Sequence, residues 1–130
     1  MAVQPIAAVL IGAELEENLA IRYLAAAIAA RGHTAIIAPC AAANDFQTVI
    51  DRIRETRPKL VAISIAFQTE ARKYLELANE IRSRGFDGHI IVGGHFPTFE
   101  FREILQQYPA VDSVGRFDGE ELILALADAL

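Results

Sequence analysis

Cysteine is nearly missing: Cys40 is the only one in 130 residues. A single thiol cannot build a disulfide framework within the chain. Nor can it ligate an iron–sulfur cluster, which takes about four thiolates. Basic clusters are scarce as well. Twelve Lys and Arg stand against 17 Asp and Glu, a formal net charge of −5, and the only adjacent basic pair is Arg72-Lys73. Phosphate affinity rests largely on Lys and Arg, so no nucleic-acid partner is expected. Long hydrophobic runs are also absent. The longest, Tyr23 to Ala30, falls far short of the roughly 18–20 residues that span a bilayer. No basic segment precedes the first apolar stretch, so the N-terminus does not read as a signal peptide. The expectation is a cytoplasmic chain with no membrane partner. There is no internal repeat, low-complexity segment or Pro/Gly/Ser-rich linker.

What is present is apolar. At 53% hydrophobic residues the chain can build a full core, and its length fits one domain, residues 1–130. Short apolar runs alternate with longer helical patterns. Ile6 to Ile11 is a continuous run ended by Gly12. Glu17 to Arg31 reads as a helix with Ile21, Leu24, Ala25 and Ile28 at 3–4 spacing, and Gly32 follows at a C-cap position. Thr34 to Ala38 is a second strand stopped by Pro39. Asn44 or Asp45 caps a helix carrying Phe46, Val49, Ile50 and Ile53 on one face, closed by Pro58. Leu60 to Ile65 is a third strand. The helix from Thr69 has Tyr74, Leu77, Ala78 and Ile81 on one face and Gly85 at its end. His89 to Val92 is a fourth strand, broken by Gly93-Gly94. A helix over Phe99 to Tyr108, a short strand over Val111 to Val114 and a helix from Glu120 to Leu130 complete the chain.

Strands without polar alternation are buried on both faces, as in a parallel sheet. With right-handed crossovers, five such units give a flavodoxin-like (Rossmann-like) doubly wound α/β fold. It has three layers, α/β/α, and strand order 2-1-3-4-5. A helical bundle does not fit the short Val/Ile runs and the Gly/Pro spacing. Ligands of such sheets bind beyond the carboxyl ends of the strands. The relevant loops are Gly12–Glu16, Pro39–Asn44, Ala66–Gln68, Gly93–Thr98 and Gly115–Gly119. His33 and His89 precede strands and fall at the opposite edge, where a structural role is expected. His95 alone falls at the ligand edge, and Cys40 is a loop thiol there with no expected role.

Several functions of this fold fail on the loops. A dinucleotide site wants G-x-G-x-x-G after the first strand. The chain has Gly12-Ala13-Glu14-Leu15-Glu16-Glu17, whose carboxylates would repel a phosphate. The hydroxyl-rich phosphate cradle of a flavodoxin is missing from the same loop. A phospho-receiver needs an aspartate ending the third strand, an acidic pair after the first and a lysine after the fifth. Those places hold Ser64 or Ile65, Gly12-Ala13 and Gly115-Arg116. What the loops do offer is small residues. Ser64, the pair Gly93-Gly94 and the glycine-flanked segment Gly115-Arg116-Phe117-Asp118-Gly119 form a slot beside the third to fifth strands. Taken alone, the glycines could equally just make turns.

The order and spacing of several segments resemble the cobalamin-binding domain found at the N-terminus of many radical SAM enzymes. These are Ile21-Arg22-Tyr23-Leu24-Ala25-Ala26, Arg31-Gly32-His33, Val61-Ala62-Ile63-Ser64, Ile91-Val92-Gly93-Gly94-His95-Phe96-Pro97-Thr98 and Asp118-Gly119-Glu120-Glu121. The resemblance spans nearly the whole chain. It implies that cobalamin (B12) is the cofactor and that its nucleotide tail enters the slot. Tail contacts fall to Ser64, Gly93, Gly94 and the turn Gly115, Arg116, Phe117 and Gly119, with His95 and Phe96 in the adjoining loop. The corrin face falls to Gly12, Ala13, Glu14, Leu15, Ala66, Phe67 and Gln68. Methionine synthase and the carbon-skeleton mutases carry Asp-x-His-x-x-Gly after the first strand, whose His ligates cobalt from below. This chain has no His before His33. The resemblance therefore implies a base-off cofactor without a His lower ligand, with Phe67 or Leu15 shielding that face and His95 hydrogen-bonding rather than ligating.

In that family methylcobalamin serves a radical SAM catalytic domain, whose C-x-x-x-C-x-x-C motif is absent here. The expectation is a cobalamin-binding module, without activity of its own and with no catalytic or metal-ligating side chains, partnered by a radical SAM domain or subunit of methyltransferase type. The alternative is a cofactor-free flavodoxin-like interaction domain of such an enzyme. An enzyme in its own right would draw on His95, Asp118, Glu120 and Glu14, but no ordering of a catalytic triad or metal set supports it.

Overall fold

A computed structural model describes residues 4–12, 19–40, 42–65, 68–94, 102–115 and 120–130. Five strands are β1 (Ala7–Gly12), β2 (Thr34–Pro39), β3 (Leu60–Ser64), β4 (His89–Gly93) and β5 (Ser113–Val114). The helices are α1 (Leu19–Ala30), α2 (Phe46–Thr56, preceded by a 3₁₀ turn over Ala43–Asp45), α3 (Gln68–Ser83), α4 (residues 102–107) and α5 (Glu120–Ala129). The strands pair in parallel in the order β2-β1-β3-β4-β5, the order expected from the sequence.

Burial explains the sheet. In β1 five of six residues are buried, in β3 four of five, and in β4 the three central ones. With apolar side chains pointing both ways, each strand needs a helical layer on either face. Ala8, Leu10, Leu60, Ala62 and Ile91 meet Ile21 and Ile28 of α1 and Ile123 and Ala127 of α5. Val9, Ile11, Val61, Ile63, Ile90 and Val92 point the other way, onto α2 and α3. Val49, Ile50 and Ile53 of α2 are the buried stripe that their spacing announces.

Two elements differ from the sequence reading. The fifth strand is two residues long, not four. The Val111 amide turns back to the Tyr108 carbonyl (3.0 Å), so the ladder with β4 begins only where the Asp112 amide reaches Ile90 (2.8 Å). Asp45 stands at the N-cap of α2, but its carboxylate accepts from the Ala42 amide (3.1 Å) and makes no side-chain cap bond to the helix.

The amino edge of the sheet is tied by side chains. His33 is buried, its Nδ1 accepting from the Ile6 amide (3.1 Å) and its Nε2 pairing with Asp128 of α5 (2.9 Å). Asp128 also pairs with Arg31. His89 Nε2 lies 2.7 Å from Ser113 Oγ. Both histidines therefore hold structure at the edge away from the loops, as their place in the sequence implies.

Candidate functional site

At the carboxyl edge the residues of neighbouring strands become small together. Ser64 is the register partner of Gly93. Gly115 follows β5 and continues its ladder, its amide donating to the Val92 carbonyl (2.8 Å). Side chains alternate along a strand. Ser64, Gly93 and Gly12 thus stand on the face that carries Ala62, Ile91 and Leu10, the face covered by α1 and α5. Gly115 opens onto the same side: a Cβ built there would lie 3.6 Å from Ile91 Cδ1 and 3.9 Å from Leu122 Cδ2 of α5. A Cβ on Gly93 would meet only the Gly115 carbonyl oxygen, at 3.7 Å. Among the described residues, the sheet edge therefore carries a step of small residues where ordinary strands would place larger side chains. Its floor is Ala62 and Ile91 and its outer wall is Leu122, which is exposed to 40%. Ser64 is half-buried, and among the described residues its hydroxyl has no hydrogen-bond partner.

Gly94 does something else. It takes φ +111°, and a Cβ there would lie 2.4 Å from the Ile65 carbonyl oxygen. The Ile65 amide donates to the Gly93 carbonyl (2.8 Å), so the two chains leave the sheet in close contact. The expectation that the missing side chain at Gly94 opens the slot is corrected: it lets one backbone pass another. Of the two adjacent glycines, Gly93 is the one whose Cβ would meet no backbone collision among the described residues.

Cys40, expected to have no role, is placed more precisely by the structure. Cys40 is no accessible loop thiol: it is fully buried, its Sγ 3.7 Å from the Ala42 carbonyl, and its own carbonyl accepts from the Tyr74 hydroxyl (2.7 Å). Burial, reinforced by the negative charge of Asp45, pushes its pKa above the ordinary thiol value. A thiol held neutral in the core is a packing group.

Of the other expected site residues, Gln68 opens α3. Ala13, Glu14, Leu15, Ala66, Phe67, His95, Phe96, Arg116, Phe117 and Gly119 lie outside the described residues. The structure thus brings together Gly12, Ser64, Gly93 and Gly115. It adds Ile91 and Leu122, which sequence reasoning assigned to the core and to the last helix. Leu122 had one signal: a large apolar side chain beside Glu120-Glu121, in the first turn of a helix that starts at the ligand edge.

Residues 8–127 match the family described as the B12 binding domain. The anaerobic magnesium-protoporphyrin IX monomethyl ester cyclase of Rubrivivax gelatinosus is 31% identical over 127 residues, 92% of this chain but 22% of that protein. The enzyme of the same name from Synechocystis is 31% identical over 83 residues, 63% of this chain and 17% of that one. The chain therefore spans about a fifth of the length of these curated relatives. Among solved structures, a cobalamin-binding protein from Desulfitobacterium hafniense DCB-2 superposes with TM-score 0.70 at 17% identity, over 95% of this chain and 60% of that one. The anti-anti-sigma factor PhyR of Bartonella quintana superposes at 0.63 and 13% identity, over 97% of this chain and 48% of that one. At these identities the likeness is one of fold.

Proposed function

Because the chain belongs to the B12-binding domain family, we propose that the step at the carboxyl edge of its sheet receives the nucleotide tail of a cobalamin. The observation that carries this is the cluster of small residues Ser64, Gly93 and Gly115 at one sheet edge, on the face that carries Ala62 and Ile91. A flat aromatic base needs a narrow apolar recess with few side chains, and the small described residues at this edge support that reading. The Ser64 hydroxyl is free to donate to a polar atom of the tail. Ile91 and Leu122 exclude water from the base, and the Gly93 and Gly115 backbones allow close approach. The loops beyond residue 12 and residue 65 would carry the corrin. No histidine precedes His33, which supports a cofactor held base-off with no protein nitrogen below the cobalt.

When bound, the cofactor would supply methyl-carrier or related cobalt chemistry to another domain. The chain's own part is to capture and orient it. We place the chain as the cofactor-holding portion of a larger radical SAM enzyme. A methyltransferase follows from the sequence resemblance. The curated relatives are cyclases by name, which favours ring-forming chemistry as the second reading. The deciding experiment is a visible absorption spectrum after incubation with hydroxocobalamin and desalting. Corrin bands that travel with the protein are expected. Their complete loss would leave the cofactor-free interaction domain. In the cob(II)alamin-bound protein, an EPR spectrum without nitrogen superhyperfine splitting is expected, and a clear triplet would show a nitrogen ligand instead.

A further inference from the structure

At the other end of the sheet, away from the cofactor edge, the carboxyl ends of α2 and α3 diverge over a groove of about 370 Å³. Its floor is apolar: Ile53 and Ile81 are buried and Phe86 half-buried. Its rim is cationic. Arg54, Arg57, Lys59 and Arg84 line it against the single carboxylate of Asp87. A third of the chain's 12 basic residues thus gather at one groove of a protein with net charge −5.

Helix dipoles explain only part of this. Arg54 lies in the last turn of α2, where a cation suits the helix end. Arg84 leans on Glu80 at 3.5 Å. Lys59 reaches only a backbone carbonyl, that of Leu130 at 3.5 Å. Arg54 and Arg57 have no carboxylate partner among the described residues. Arg57 carries a further cost. It closes α2 in the left-handed region, φ 48° and ψ 56°, the place where glycine is favoured. Among the described residues it is the only non-glycine with positive φ. Here a long cationic side chain occupies a position where the backbone prefers none.

We infer that this groove docks an acidic amphipathic peptide segment of a partner protein. Apolar side chains of the segment would seat on Ile53, Ile81 and Phe86, and its carboxylates would meet Arg54, Arg57 and Lys59. Charge complementarity selects the occupant: an apolar floor beside the Arg54 and Arg57 guanidinium groups, which lack a carboxylate partner among the described residues, and the Lys59 ammonium disfavours a basic segment. The site faces away from the cofactor edge, so docking leaves that edge open.

The test uses the whole chain and a rhodamine-labelled peptide of Glu and Leu only, with Leu at every third or fourth position. Anisotropy should rise with protein at low salt and fall back as salt is added. A matching peptide with Lys in place of Glu should not bind. Arg57→Gly is the informative variant: it relieves the left-handed backbone, so thermal stability should hold or rise. Peptide affinity should nevertheless fall several-fold, and about tenfold or more in combination with Arg54→Gln. Lys59→Gln should weaken binding in the same direction. Cobalamin retention should not change in any of them. Equal binding of the Lys peptide, no binding of the acidic one, or wild-type affinity in Arg57→Gly with Arg54→Gln would each overturn the inference. Equal binding of a Glu peptide with Ser in place of Leu would also overturn it, by making the groove a site for simple anions.

Discussion

Gly93 and Gly94 are neighbours in sequence and opposites in structure. Among the described residues a Cβ on Gly93 would make only an ordinary contact with the Gly115 carbonyl oxygen, at 3.7 Å, whereas one on Gly94 would strike the Ile65 backbone at 2.4 Å. Gly93→Val should therefore leave a folded domain that no longer retains cobalamin after desalting. Gly94→Ala should lose at least about 2 kcal/mol of stability from its strained φ and backbone collision, read by chemical denaturation. A stable Gly93→Val that keeps the corrin bands would move the tail elsewhere. Cys40 gives a second test. Its thiol titrates above the ordinary value when folded, chiefly because burial penalises the thiolate. The unfolded chain thus loses this proton first as pH rises. Stability should then decline above about pH 8.5, the ordinary thiol pKa, and Cys40→Ala should flatten that decline. Native protein should react with a thiol reagent only as fast as it opens. Rapid labelling of the folded state would place the thiol at the surface.

One side chain ties the end of α3 to the entries of β4 and β5. Arg82 of α3 donates to the carbonyls of Phe86 (3.0 Å) and Gly88 (2.8 Å) and to that of Ala110 (3.0 Å). It also pairs with Asp112 at 2.7 Å. The same Asp112 oxygen accepts from the Ile90 amide at 2.8 Å. This fork joins the end of α3, the entry to β4 and the approach to β5, and it compensates for a fifth strand of only two residues. Lysine cannot reproduce a planar fork of donors. Arg82→Lys should therefore cost about 1–2 kcal/mol, discounted because the side chain is partly solvated. Hydrogen exchange should quicken first at Ile90 and Asp112. Unchanged exchange there would mean that the β4–β5 pairing holds without the clamp. The pattern of α2, α3 and β1 to β4 was legible because their apolar periodicity is strong. The length of β5 was not, because Val111 has the composition of a strand residue while its amide is turned back to Tyr108.

For the molecule as a whole, the cofactor should act as a stabilising ligand. A group that binds only the folded chain at about a hundred times its dissociation constant adds about 2.7 kcal/mol. Hydroxocobalamin should therefore raise the melting temperature of the wild type but not of Gly93→Val. An equal rise in both would point to adsorption away from the recess. The two ends of the sheet have separate surfaces, an edge whose described lining is small and uncharged at one and a cationic groove at the other. Composition and periodicity were enough to give three layers and the strand order, because parallel strands buried on both faces announce themselves as unbroken apolar runs. They also placed His33 and His89 away from the loops, since chain order alone assigns each connection to one edge. Three assignments needed the assembled chain. Only packing tells that Gly93 meets an ordinary contact while Gly94 admits a backbone, because both lack a side chain and differ in what stands opposite. Only packing buries Cys40 beneath Tyr74, and only packing sets Ile91 of β4 and Leu122 of α5 on either side of Gly115. Sequence pattern encodes which side of an element is apolar. It does not encode which atoms of distant elements come within van der Waals reach, and that distance decides whether a small residue makes a site or merely a turn.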